Sequence, residues 1–367
     1  MPPWPADAKQ GDEVATEPST KAKAWAIFDR IVADAAPGGE HSNPWVRDES
    51  GALSYEPDYE TLIKLLGVPL YLKAPTTTGV PALALDVWLS YELRRSGFDA
   101  DAAWPRPSAP RILPGPVVSL LNKVTAKERD ALWKRLRAKT PPTGAAASSA
   151  NILGKNYLKQ VDVVMSNWAA GPELLISTKR MDSSFGKNAA NRVEESYGDA
   201  KNLRLRHPLA ALGFVYGLRS TIFDESPDKA EWLIDLLQKL GREDDAYHAV
   251  SLIVIEYGDH LSVEESDDDQ GDGEDPLVEA GVHGSHDIYD DTEELVEQSD
   301  VEVALAIAGL PPVKLPWERV PADLRPDRFI AEMVRRVIDA TPVNMHAEAR
   351  LRRKRALSKT NLNEATE

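Results

Sequence analysis

The stretch QVDVVMSNWAAGPELLISTKRM, residues 160–181, decides how the chain is read. Two short runs rich in β-branched and apolar residues, Val161–Met165 and Leu174–Thr178, flank the turn-forming residues of SNWAAGP, so the stretch predicts a β-hairpin. Downstream, Ala190, Val193, Tyr197 and Ala200 recur at i, i+3, i+7 and i+10, one face of a helix that begins near Lys187 and ends before Pro208. Leu209–Leu218 and Ala249–Ile255 are continuous apolar runs suited to buried strands, and a strong helix spans Asp228–Leu240 between them. Upstream, Leu85, Leu89 and Leu93 recur every four residues over Pro81–Ser96, an amphipathic helix stopped by Gly97. The order is helix, hairpin, helix, strand, helix, strand. It predicts an α/β fold with a central mixed β-sheet flanked by helices, preceded by a helical N-terminal region.

The remaining segments fall around that core. Residues 1–18 read as a mobile tail, and 19–140 as a mainly helical region with helices at Lys21–Ala35, Asp58–Leu66 and Thr125–Ala138. The proline-rich stretch Trp104–Pro116 cannot be regular structure, because each proline removes a donor and fixes its φ. Residues 141–151 have linker composition, 152–257 form the α/β core, and 258–301 are an acidic insertion expected to be disordered. A C-terminal helical segment, 302–340, precedes a basic tail, 341–367, which contains RLRRKR at Arg350–Arg355.

Composition narrows the chemistry. With no cysteine, thiol nucleophiles, disulfides, cysteine zinc sites and iron–sulfur clusters are excluded. No basic leader opens the chain and no run nears the roughly 18 apolar residues of a membrane span, so a cytoplasmic protein with no membrane contact is expected. The net charge of −16 is local: residues 259–300 hold 17 Asp and Glu and no Lys or Arg, which leaves the remainder at +1. Residues 151–220 carry 10 Lys and Arg against 6 Asp and Glu, a balance suited to a polyanion. There is no P-loop, G-x-G-x-x-G, H-E-x-x-H or G-x-S-x-G motif. His283 and His286, beside acids, lack the further ligands of a metal site.

Taken singly, Glu92 in LSYELRRSGF, Asp162 in QVDVVMSN and Lys179 in LLISTKRM are ordinary surface charges. In this order on these elements, they resemble the PD-(D/E)XK nuclease superfamily over roughly residues 80–257. The resemblance implies a restriction endonuclease-like core in which carboxylates hold Mg²⁺, with Mn²⁺ tolerated, and a lysine works on the attacking water. Hard oxygen ligands suit Mg²⁺, which lowers the pKa of its water and neutralises developing phosphorane charge. One position departs: Ser177 stands where the family has Asp or Glu two residues before the lysine. Glu173 shares its strand face but lies about 13 Å away, too far to substitute. Relocation of the acid to the following helix is a known variation, and Glu194, bordering the apolar face, is preferred over Glu195.

Asp162, Lys179, Glu92 and Glu194 are thus the expected catalytic set, with Asp162, Glu194 and Glu92 on the metal. Arg180, Lys187, Asn188, Asn191, Arg192, Lys201, Arg204 and Arg206 are the expected DNA contacts. The resemblance further implies a restriction-type DNA endonuclease, a homodimer because one site cuts one strand, and a partner methyltransferase or other prokaryotic defence proteins. The alternative is a catalytically inactive DNA-binding or assembly subunit of the same fold.

Overall fold

The computed structural model describes residues 18–48, 50–138, 142, 145–147, 149–183, 185, 189–261 and 299–358, without the side chains of 189–192 and 358. In chain order the elements are α1 (Thr20–Ala35), β1 (Trp45–Arg47), β2 (Leu53–Tyr55), α2 (Tyr59–Tyr71), α3 (Val80–Arg95), β3 (Ala103–Trp104), α4 (Gly115–Leu121) and α5 (Ala126–Leu136). Then follow β4 (Ala150–Leu153), β5 (Leu158–Val161), β6 (Val163–Asn167), β7 (Gly171–Met181), α6 (Ala189–Arg206), β8 (Ala211–Arg219), α7 (Ile222–Glu225), α8 (Pro227–Leu240) and β9 (Ala249–Ile255). The last three are α9 (Asp300–Ala308), α10 (Pro326–Ala340) and α11 (Ala347–Ser358).

The central sheet has the order β3-β6-β7-β8-β9. β3, β6 and β7 are antiparallel, whereas β7, β8 and β9 are parallel, so the sheet is mixed. The hairpin forms as its composition dictates, with Val163 opposite Ile176 and Met165 opposite Leu174. Parity then divides the side chains between two cores. Val163, Met165, Leu174 and Ile176 pack with α1, α2, α3 and α10 on one face. Val164, Leu175, Leu212, Phe214 and Leu252 pack with α6 and α8 on the other. Burial on both faces explains why β8 and β9 read as unbroken apolar runs.

α10 lies very close to β8. A Cβ at Gly213 would fall 2.6 Å from the Phe329 ring, so glycine is what lets the helix approach. At the opposite corner, Gly97 takes φ +96 and its missing Cβ admits the backbone of Ala349 in α11.

That contact corrects the reading of 341–367 as a basic tail. Residues 347–358 are helical and bury Ala349 and Ala356, and their arginines serve carbonyl oxygens. Arg350 donates to Ile338 O and Thr341 O at the end of α10 (2.7 and 2.8 Å), where helix carbonyls lack backbone partners. Arg352 donates to Arg95 O at 2.7 Å, and Arg353 covers the Trp45 ring. The linker reading of 141–151 is corrected in part: Ala146 and Ala147 are buried, and Ala147 bridges to Ile112. Of the acidic insertion, residues 262–298, with His283 and His286, lie outside the described residues. So does the tail up to residue 17.

Glu92 also belongs to the interior. Its carboxylate accepts from Asp58 N (2.7 Å) and Tyr55 Oη (2.8 Å) and pairs with Arg95 (2.8 Å), all out of water. Burial pushes its carboxyl up, and the Arg95 guanidinium opposes this. Removing one partner of such a pair leaves an uncompensated buried charge. Glu92→Gln is therefore expected to lower the unfolding free energy by about 3 kcal/mol, measured by urea denaturation. A variant that folds with wild-type stability would refute this structural role.

Candidate active site

Asp162 lies between β5 and β6, one residue before the first hairpin pair, Val163 with Ile176. Extending that register by one step sets Asp162 opposite Ser177. The Asp162 carboxylate closes the pair from its side chain, accepting from Thr178 N–H at 2.8 Å. The Thr178 hydroxyl points to the other face and donates to Asp86 Oδ1 of α3 at 2.5 Å. One threonine therefore holds two carboxylates.

The electrostatics agree with that proximity. Burial drives the Asp86 carboxyl well above its ordinary range, and the Asp162 charge raises it further. The Thr178 hydrogen bond and the charges of Lys21 and Lys179 act in the opposite direction. Asp86, Asp162, Lys179 and Lys21 of α1 thus share one electrostatic neighbourhood at the end of the hairpin. On α3 the acid that meets the hairpin is Asp86, not the expected Glu92. Six residues separate the two, about 240° around the helix, so Glu92 turns toward Asp58 and Tyr55 when Asp86 meets Thr178.

Ser177 and Lys179 share parity with Leu175 and Met181 and so belong to the α6 face. There the Ser177 hydroxyl hydrogen-bonds the buried Tyr247 phenol, which donates to Ser196 O at 2.9 Å. Burial raises the Tyr247 phenol first, and the charges of Asp199, Asp162 and Glu195 add to it. α6 turns Val193, Ser196, Asp199, Ala200 and Leu203 inward. Glu194 and Glu195 are both exposed, and it is Glu195 and the buried Asp199, not the preferred Glu194, that lie on the side of β5. Both face Lys159 of β5, with Asp199 at 3.0 Å in a buried pair and Glu195 at 3.6 Å. Tyr157 donates to Asp199 at 3.0 Å, and burial, then Asp199, push its phenol up to about 12.

Few of the expected DNA contacts face outward. Arg180 is buried and donates to Asp182 and Pro81 O. Lys201 pairs with Asp245 at 3.1 Å and covers the Tyr197 ring, and Arg204 donates to Ala246 O at 2.9 Å. Arg206 is exposed. Lys187 and Asn188, and the side chains of Asn191 and Arg192, lie outside the described residues.

Asp86, Thr178 and Tyr247 escaped the sequence reading, although Asp86 had a signal. It is the single acid between Val80 and Tyr91 on a helix otherwise apolar or small in that stretch. Among the described residues no group of three or more His, Asp or Glu converges as a metal cage. The donor set at the hairpin end is two carboxylates, which suits Mg²⁺, an ion commonly held by one or two carboxylates plus substrate phosphates.

In comparisons with known proteins, no family model, no curated protein and no solved structure matches the chain. No helix among the described residues is long and apolar enough to cross a membrane.

The raised Asp86 pKa has a consequence for stability. The fold is favoured while Asp86 keeps its proton, so stability falls as pH rises from the ordinary carboxylate range through the elevated folded value. Asp86→Asn keeps an acceptor for Thr178 and removes that loss. The variant is expected to exceed wild type by about 1 kcal/mol or more at pH 8, with the gap shrinking toward pH 4. Urea denaturation at both pH values measures it.

Proposed function

We propose that the chain is a Mg²⁺-dependent DNA endonuclease of restriction type, built on a PD-(D/E)XK-like core. The observation that carries this reading is the double hydrogen bond of Thr178. Through it Asp162 and Asp86 are tied to one residue of an antiparallel hairpin whose second strand pairs in parallel with β8, and Lys179, on the opposite sheet face from Asp86, acts on Asp86 only through its charge. Bringing two carboxylates together around a buried position is costly without a cation, and a divalent ion relieves that cost.

Asp162 and Asp86 would hold Mg²⁺, with Mn²⁺ as a substitute, and the ion supplies an activated water and neutralises phosphoryl charge. Lys179 orients that water and adds positive charge next to the transition state. Tyr247 fixes the Ser177 hydroxyl, and Arg206 is an exposed cation of α6 that a phosphate could meet. A homodimer would give one site per strand, and a partner methyltransferase or defence proteins fit the same reading.

A second reading is a DNA-binding or assembly subunit without catalysis. It is favoured by the hydroxyl at Ser177 and by Lys159, which already neutralises the α6 acids.

A Mg²⁺-dependent cleavage assay on supercoiled DNA separates the two. Lys179→Ala and Asp162→Asn are each expected to lower the rate by at least about 10²-fold. Asp86→Asn should lose activity while gaining stability. Equal or absent cleavage in wild type and Lys179→Ala would leave the non-catalytic reading standing.

A further inference from the structure

The sheet has a second feature at its other end. A cleft of about 1290 Å³ opens between α1, the end of α3, α4, the β6–β7 turn and the start of α11. It exceeds the roughly 300–1,000 Å³ of sites for small organic ligands, so an organic body fits. Glu173, at the start of β7, lines it. Six residues separate Glu173 from Lys179, about 20 Å along the strand, so the cleft is distinct from the Asp162–Thr178–Asp86 cluster.

The charges in the cleft do not cancel pairwise. Among the carboxylates that line it, Asp29 is held by both nitrogens of Arg111, Asp101 by Arg106, Glu348 by Arg352 and Glu173 by His346. Asp99 accepts from the backbone of Asp101 and Ala102. Arg94 is different. Only 3% exposed, it donates to two neutral acceptors, Pro105 O at 3.1 Å and Ser90 Oγ at 3.4 Å, and its Nε has no partner.

Asp29 is the carboxylate whose charge supports Arg94 most, but Arg111 occupies both of its oxygens. Arg106 and Arg111 press on Arg94 with like charge, and burial is the main force pulling it down to about 9, so it remains charged at neutral pH. A buried guanidinium whose direct acceptors are all neutral carries a desolvation cost that an anion relieves.

We infer that the cleft binds a small organic carboxylate, with Arg94 receiving its anionic head and Phe98, Trp104 and Trp168 flanking its apolar body. Trp168, at the β6–β7 turn, is 88% exposed, and a ligand lying across the mouth would cover it. The surrounding carboxylates select a monoanion over inorganic phosphate, which carries more charge at neutral pH. A planar guanidinium meets a carboxylate with two parallel hydrogen bonds.

The test uses the full chain titrated with acetate, benzoate, indole-3-acetate and inorganic phosphate, followed by thermal melting. An aromatic carboxylate is expected to raise the melting temperature saturably, and phosphate at equal concentration to do less. Arg94→Met should weaken that response at least tenfold while keeping or raising the ligand-free melting temperature, because the buried charge is gone. Trp168→Ala should weaken binding and leave the ligand-free melting temperature unchanged.

No saturable response to any carboxylate overturns the inference, as does an equal response in Arg94→Met. A fall in ligand-free melting temperature with unchanged binding would make Arg94 purely structural. Phosphate binding as tight as the best carboxylate would overturn the choice of ligand. None of these outcomes depends on DNA cleavage.

Discussion

The hydrogen bonds of Thr178 join the two halves of the molecule. Its N–H lies in the hairpin and fixes Asp162, and its hydroxyl crosses the sheet to fix Asp86 on α3. The helical layer and the sheet therefore meet through polar contacts near one strand end, where Arg180 also donates to Pro81 O of α3, as well as through apolar packing. Two carboxylates near one residue repel each other, and the arrangement holds because burial keeps Asp86 inclined to retain its proton while Lys21 and Lys179 supply opposite charge. Removing charge at Asp86 relaxes the fold, while the proposed nuclease reading needs that same charge, a trade-off familiar at functional sites.

The same sheet separates two kinds of polar environment. On the α6 face, Lys159, Asp199, Tyr157, Ser177 and Tyr247 form a network of ion pairs and hydrogen bonds. On the α3 face, Glu92, Arg95, Tyr55 and Asp58 form another, which fixes α2 against α3. Most of their members are buried and hydrogen-bonded, as polar groups in a packed interior must be, although Tyr157 stays exposed and Arg95 Nε has no partner. Arg94 lies one residue from Arg95 yet projects toward the cleft, where its acceptors are neutral.

Much of the core was legible in sequence because periodicity reports burial directly. β6, β7, β8 and β9 are apolar runs, and α8 and α10 have one buried stripe each, so their positions came within a few residues; α3, read as amphipathic, is instead buried on every side from Ala84 to Arg95. Short pieces were not legible: β1, β2, β4 and β5 span three or four residues and form two-stranded sheets too brief to show a period. α11 escaped because its arginines looked like a solvated tail, whereas their partners are carbonyls distant in sequence. In the site, Asp162 and Lys179 could be read from the hairpin pattern. On α3 the sequence pattern pointed to Glu92 and passed over Asp86; both occupy buried helix positions, and only tertiary contacts tell which one meets Thr178.

The bridge between Glu256 and Lys314 sets the two flanks of residues 257–313 side by side. Beyond it α10 inserts Phe329, Met333 and Val337 into the same core as α3 and β8. The last third of the chain is thus an integral part of the first layer, not an appendage of it. A backbone break anywhere within 262–298 would leave two fragments, each carrying half of a shared hydrophobic interface. Such pieces have the means to reassemble without a covalent joint, which makes the segment between the Glu256–Lys314 bridge partners a natural place to divide the protein for complementation.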